Sequence, residues 1–414
     1  MRVGIAVDVD YPHVGEIRPT KLARSLQRAG HQVVFICQNS RQRSLNEDLG
    51  YARVYRFGYF LRSKLFPWLG SPSPLNPLWA LWIAKIARKE ELDVIISSNL
   101  RVALPTIVAA KCLGKPVVLD LQENNREAVK LYPKTRLHHY VIRNSQLVGL
   151  LEDLCVKLAD HTWVVVEERL ESLPRRLRKP GKISIVCHTP SLEELQASEK
   201  QRARPEDGNF TLVYLGLFAP GVGSVEPILE ALPYVLERDK RVGFLIGGGG
   251  SHLAPLVERL GIQDYVVFSG LIQPDKVPAW LQQGDLGIIA YPVNPFTNTT
   301  VSNKLFHYMA VGLPVLSTDM APTRRILKEV SCGITIRAGS GNQEIAEIIL
   351  RLKNSPEERA AMGQRGRRAV FEKYNWEFDF DRALRCLERL VSKEPDTAKP
   401  HQTAFSPPSG DAES

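Results

Sequence analysis

The stretch VSNKLFHYMAVGLPVLSTD, Val301 to Asp319, holds the residues best placed for chemistry. A polar loop, NPFTNTT, feeds it, and the Ser302 hydroxyl suits the cap of a helix running from about Asn303 to Val311. Gly312 ends that helix, Pro314 follows, and Val315-Leu316-Ser317 reads as a short buried strand. The free amides from Thr300 through Val301 and Ser302 to Asn303, with the Lys304 ammonium in the first turn, make an anion site if they face a cleft. The same stretch also reads as one more αβ unit of a doubly wound fold. A second candidate is the GGGG run at Gly247–Gly250, after a strand-like segment, where Gly248 and Gly249 let backbone approach a ligand closely. Without a ligand it is simply a tight turn.

Composition bounds what these groups serve. At 414 residues, 44% hydrophobic and 24% charged, the chain suits two soluble α/β domains. A formal charge of +9 favours anionic partners in general, but no repeated cluster of cations interleaved with aromatics points to nucleic acid. Six scattered cysteines, without CxxC or metal-like spacing, read as buried thiols in a reducing compartment. Asp8 and Asp10 interrupt any leader-like core, and no run approaches the ~20 apolar residues of a spanning helix. The expected location is therefore cytoplasmic, at most peripheral on the inner face of a membrane.

The elements that must position the site follow from hydrophobic periodicity. Arg2–Val7 is a strand, a helix near Thr20–Ala29 stops at Gly30, and His31 begins a second strand. This opening is Rossmann-like, with Gly15 in the first βα loop, though without GxGxxG. Runs at Asp93–Ser97, Val117–Asp120, Thr162–Val166 and Ile183–Cys187 extend the sheet, and Leu147, Leu150, Leu151, Leu154, Cys155 and Leu158 recur at helical spacing as core. After a polar linker the pattern restarts with strands at 211–216, 243–250, 265–270, 286–291, 314–318 and 333–337. The division expected is a Rossmann-like domain over 1–195, a linker at 196–209, a second such domain over 210–374, a helix over 375–391 able to pack back on the first, and a disordered tail at 392–414. FGYFLRSKLFPWL at 57–69 mixes aromatics with cations in the manner of a membrane surface, or of ordinary packing; LWALWIAKIAR at 78–88 favours packing.

Taken in order, HTPSLEEL, LVYLGLFAPGVGSVEPILEAL, LIGGGG, SNKLFHYMAVGLPVLSTD and KYNWEF resemble the GT-B glycosyltransferases of family 4. The resemblance covers roughly Met1 to Val391. It implies an α/β fold of two facing Rossmann-like domains with parallel sheets and a C-terminal crossover helix. It further implies a nucleotide-sugar donor held by the second domain, a lipid-linked or polysaccharide acceptor held by the first, and transfer with retention, with neither cofactor nor metal. Breaking a glycosyl–diphosphate bond builds charge on the leaving phosphate, which Lys304 and the amides beside it would stabilise.

The chain also departs from the family pattern. Where relatives carry a ribose-binding Glu and another eight positions earlier stand His307 and Thr299. The cations expected after Gly216 and before Gly223 are replaced by Leu217 and Val222, so the glycine-rich backbone is expected to hold the diphosphate instead. In VVLDLQENN, Gln122 stands where many relatives have His; an amide can orient a hydroxyl but cannot take its proton. Glu123 and Asp120 remain as carboxylates. By the same resemblance Arg18 points to the cleft, and Arg324 and Arg325, from their place after the strand at Val315, are within reach of the donor's sugar or phosphates; all three read equally as solvated surface charges. These departures leave a second reading open, a GT-B-shaped scaffold without turnover.

Overall fold

A computed structural model describes residues 1–13, 17–58, 72–135, 139–196, 208–216, 218 and 225–393. The first sheet contains β1 (Arg2–Ala6), β2 (Gln32–Gln38), β3 (Asn46–Asp48), β4 (Arg53–Phe57), β5 (Val94–Ser98), β6 (Val117–Leu121), β7 (His161–Val164) and β8 (Ile183–Ile185). Its order is β3-β4-β2-β1-β5-β6-β7-β8, parallel except for the antiparallel β3–β4 pair. The second contains β9 (Phe210–Leu215), β10 (Val242–Gly247), β11 (Val266–Gly270), β12 (Leu286–Ile289), β13 (Val315–Thr318) and β14 (Gly333–Ile336), ordered β11-β10-β9-β12-β13-β14 and parallel throughout. Strands buried on both faces read as unbroken apolar runs, which is why most were visible in the sequence.

In each sheet the strand order reverses beside the first strand, between β1 and β5 and between β9 and β12. Open α/β sheets bind ligands outside the carboxyl ends at such points. Both switch points supply residues to the space between the domains, as described below.

Helices cover both faces of the first sheet. Trp79 and Ile83 from the helix Pro77–Lys89, the helix Ala103–Cys112, and Cys155 and Val156 fill one side. Leu22, Ala23 and Leu26 from the helix Ile17–Arg28 fill the other, with Trp376, Ala383 and Leu387. Those last three belong to the terminal helix Trp376–Ser392, which does pack back on the first sheet. The Asp379 carboxylate locks it there, accepting from the Cys187 amide at 3.1 Å and the Thr189 hydroxyl at 2.6 Å.

Three expectations need correction. Only part of the leucine stripe is core: on the helix Ser145–Leu158, Cys155 is buried and Leu151 packs against the core, but Leu147, Leu150, Leu154 and Leu158 are exposed, and Gly149, Glu152, Asp153 and Val156 complete the buried face. The inward face is fixed by charge, because Glu152 pairs with the buried Arg169 and Asp153 with Arg126 and Arg176. Ser302 stands at the start of its helix, Asn303–Ala310, but its side chain makes no capping bond; its hydroxyl lies 3.3 Å from that of Tyr291. Among the cysteines, Cys112 is exposed and Cys187 half-buried, and all six are free thiols. Tryptophan packing within 78–88 is as expected, with the Trp79 ring 5.0 Å from that of Phe57. The 57–69 segment lies almost wholly outside the described residues, as do most of the linker and the tail. Among the described residues no helix is long and apolar enough to cross a membrane.

Candidate functional site

A cavity of about 310 Å³ opens between the two sheets. From the first domain it is lined by Arg18, Gln122, Glu123, Val165, Cys187 and His188, and from the second by Thr300, Val301, Ser302, Asn303 and Lys304. The start of the Asn303–Ala310 helix therefore faces the first domain across the gap, with its unpaired amides available to an anion.

The Lys304 ammonium sits 4.9 Å from the Tyr214 ring centroid and 4.8 Å from that of Tyr291, and it donates to the Tyr291 hydroxyl. Tyr214 lies in β9 and Tyr291 just beyond β12, so the second sheet's switch point holds the cation. Two aromatic faces stabilise an ammonium without neutralising it, which leaves the charge for a ligand. Gly216 makes this placement sterically feasible. A Cβ there would fall 2.3 Å from Lys304 Cε and 2.4 Å from Nζ. Behind it, a Cβ at Gly248 would fall 2.5 Å from the Gly216 carbonyl oxygen, and Gly249 continues the run at φ +138°.

On the first-domain side, Arg18 is not a solvated charge. It is buried and pairs with Asp120 through two hydrogen bonds, 2.9 Å from Nε and 2.8 Å from NH2, while NH1 donates to the Cys187 carbonyl at 3.0 Å. Such a fork fixes geometry as well as charge. Gln122 donates to Ser98 Oγ at 3.0 Å and to Asp120 at 3.3 Å, so its amide is oriented by the same carboxylate. Glu123 also lines the cavity, and desolvation by the surrounding protein raises its pKa.

Several site residues expected from the sequence fall elsewhere. Thr299 is buried, accepts from Asn124 Nδ2 across the domain gap at 3.1 Å, and lines a separate 240 Å³ pocket with Glu152, Asp153 and Arg169. His307 does not line the 310 Å³ cavity; burial lowers its pKa, Glu194 raises it, and Lys21 lowers it. Arg325 reaches back to Glu167 and Glu168 of the first domain, and Arg324 pairs with Asp319 at 2.8 Å, so neither guanidinium is directed into the cavity. Gly15, Gly223, Leu217 and Val222 lie outside the described residues.

One cavity residue, and one strained residue at the first sheet's switch point, were not evident in the sequence. His188, at the start of the inter-domain connection, lines the cavity and contacts Asn303 at 3.3 Å. Its burial, with the charges of Arg18, Lys21 and His307, pushes its pKa down to about 3, so it is neutral. Asn99, after β5, holds a left-handed backbone at φ +115° and donates to Asp8 at 2.6 Å, at the first sheet's switch point. The motif HTPSLEEL marked the first only as a connection, and nothing local marked the second.

Comparison with known proteins adds an independent line. Residues 209–355 match the family model for glycosyl transferases group 1, and residues 16–192 the model for glycosyltransferase family 4. The chain is 24% identical over 343 residues to the alpha-monoglucosyldiacylglycerol synthase of Streptococcus pneumoniae, covering 75% of this chain and 76% of that protein. It is 21% identical over 319 residues to the GDP-mannose-dependent monoacylated alpha-(1-6)-phosphatidylinositol monomannoside mannosyltransferase of Corynebacterium glutamicum, covering 76% and 81%. The sucrose-phosphate synthase structure from Thermosynechococcus elongatus superposes with a TM-score of 0.69 at 17% identity, over 95% of this chain and all of that one, a likeness of fold alone.

Proposed function

The chain belongs to the group 1 glycosyltransferases of the GT-B fold, and from that premise we propose that it moves a sugar from a nucleoside-diphosphate donor to a hydroxyl of a lipid-linked acceptor, with retention of configuration. The observation that carries this is the 310 Å³ cavity, where the unneutralised Lys304 ammonium and the Thr300–Asn303 amides face Gln122 and Glu123. The lipid class of acceptor rests on the two relatives, whose names specify a diacylglycerol product and a phosphatidylinositol mannoside acceptor.

In this reading the bond from the anomeric carbon to the diphosphate breaks as the acceptor oxygen bonds to the same carbon on the same face. The acceptor's proton passes to the leaving phosphate oxygen, so no side chain need act as a base. Negative charge grows on the diphosphate as the bond lengthens, and Lys304 with the helix-start amides opposes it where it forms. Gln122, oriented by Asp120 and Ser98, and Glu123 hold acceptor or sugar hydroxyls. Arg18 acts indirectly, holding the Asp120 carboxylate in place beside Gln122.

Thermal-shift screening against UDP, GDP, ADP, CMP and dTDP sugars tests the donor half. A ligand at a hundred times its dissociation constant adds about 2.7 kcal/mol of stability. One nucleotide is expected to raise the midpoint and to be turned over slowly; no response to any of them would overturn the reading.

A further inference from the structure

Among the described residues eighteen large hydrophobic side chains are exposed, and eight of them fall between Tyr132 and Leu158. Leu147, Leu150 and Leu154 project from the helix Ser145–Leu158 at spacings of three and four, which places them on one face. The preceding turn of helix, His139–Ile142, adds Tyr140, Val141 and Ile142, each more than half exposed. Isolated exposed leucines need no explanation, but a contiguous face of this kind marks an interaction surface.

The charges around it select the partner. Between Ala128 and Leu151 the sequence contains lysines and arginines and no Asp or Glu. The Lys134 ammonium stands 5.6 Å from the Tyr140 ring, and the Arg143 guanidinium 5.6 Å from the Tyr132 ring. Lys157 is exposed beside Leu154 and Leu158. An apolar strip edged by tyrosines and cations matches a bilayer interface, where leucines enter the acyl boundary, rings sit at head-group level and cations meet anionic lipid. A second copy of this chain suits the face less well, because a two-fold contact would set like charges against each other.

We propose that the surface formed by residues 132–135 and 139–158 docks the protein on an anionic lipid bilayer, with the Leu147, Leu150 and Leu154 side chains inserted. The choice of a bilayer rests in part on the lipid-acceptor reading above. The opposite face of the same helix gives Glu152 and Asp153 to the 240 Å³ inter-domain pocket, which Pro295, Asn298 and Thr299 close from the second domain. Docking by the leucine face would therefore leave that pocket one helix diameter, roughly 10 Å, from the lipid surface, close enough for the head group of a membrane-anchored acceptor to approach it.

The full-length chain is tested by flotation with phosphatidylcholine vesicles, with and without phosphatidylglycerol. It is expected to float with the anionic vesicles, less so as salt rises. Leu150→Ser and Leu154→Ser are each expected to weaken partitioning by roughly tenfold, and the paired change Lys134→Glu with Arg143→Glu to abolish the preference for anionic lipid. Because both leucines are exposed, thermal midpoints should be unchanged and the shift caused by nucleotide retained; that readout separates failure of docking from failure of the glycosyl-transfer reading. Failure to float with any vesicle, or equal flotation of the leucine variants, would overturn the assignment. So would concentration-dependent self-association that those substitutions remove.

Discussion

Gly216 is the position where a single methyl group should disable the site without removing any of its chemistry. A Cβ there would lie 2.3 Å from Lys304 Cε and 2.4 Å from Nζ, whereas non-bonded carbons make good contact at about 3.5–4.0 Å. The ammonium must therefore leave its seat between Tyr214 and Tyr291, which the end of a flexible side chain can do; the positive φ of +156° at Gly216 adds backbone strain of about 1–3 kcal/mol for alanine, which the thermal midpoint reports separately. A misplacement of about 1 Å costs on the order of a hundredfold in rate, and loss of a cation aimed at developing charge costs about 2.7–4 kcal/mol, or a hundred- to a thousandfold in kcat. Ground-state binding of nucleoside diphosphate should suffer less, by about 1.5–3 kcal/mol for one charge-assisted hydrogen bond. Gly216→Ala and Lys304→Met should thus each lower kcat by about two orders of magnitude, and the double variant by hardly more than either, since both remove one interaction. Initial rates of nucleoside-diphosphate release give kcat, calorimetry gives affinity, and the thermal midpoint reports the fold. Near-full activity of Gly216→Ala, or multiplicative losses in the double variant, would refute the idea that this glycine exists to seat that lysine.

Three further outcomes follow from the same geometry. A Cβ at Gly363 would lie 1.9 Å from the Gly312 carbonyl, a backbone atom that cannot yield cheaply; Gly363→Ala should destabilise by about 1–3 kcal/mol or more, read as a lower thermal midpoint. His188, with its pKa pushed down to about 3, stays neutral when folded while the unfolded chain takes up a proton near pH 6.5. Its contribution to stability is therefore intact above pH 6.5 and lost progressively towards pH 3, by about 2 kcal/mol at pH 5; His188→Gln should flatten that slope in denaturant titrations. Glu123→Ala should raise KM for the acceptor by about tenfold, from one lost hydrogen bond to a charged group, and leave the nucleotide's thermal shift unchanged.

Burial on both faces made the parallel strands legible, but the same rule hid β4, where Arg56 occupies the middle of a strand. Its guanidinium is fully buried, donating to the Tyr11 carbonyl at 2.7 Å and pairing with Asp10 and Glu47. A charge in a sheet is affordable only with such partners; Glu47 is nine positions away, but the Tyr11 carbonyl that Arg56 also needs is 45 positions back and could not be foreseen. The helix at 145–158 shows the converse limit. Periodicity located one apolar face, but not which face the fold would bury. Gly149 admits the Arg126 guanidinium, since a Cβ would lie 2.1 Å from its Nε, and Glu152 answers to Arg169, so the polar side turned inward and the leucines outward.

The site divides along the same line. A polar loop, a helix start and a terminating Gly312 are local features, and the residues they single out, Thr300 to Lys304, line the cavity. What depends on distant partners was not readable: Asp120 claims Arg18 from 102 positions away, and Glu168 claims Arg325 from 157. The same logic bears on the cations that relatives place beside Gly216. A lysine from the helix Asn303–Ala310 already fills the space over that glycine, held by two rings rather than by a carboxylate. A guanidinium brought against the same spot would repel the ammonium at an enclosed site, where effective dielectric is low and like charges a few ångströms apart oppose each other strongly. Apolar residues at 217 and 222 are therefore compatible with a working diphosphate grip. Placing Arg at 217 should weaken nucleotide binding in this chain, although the family pattern by itself would lead one to expect a gain.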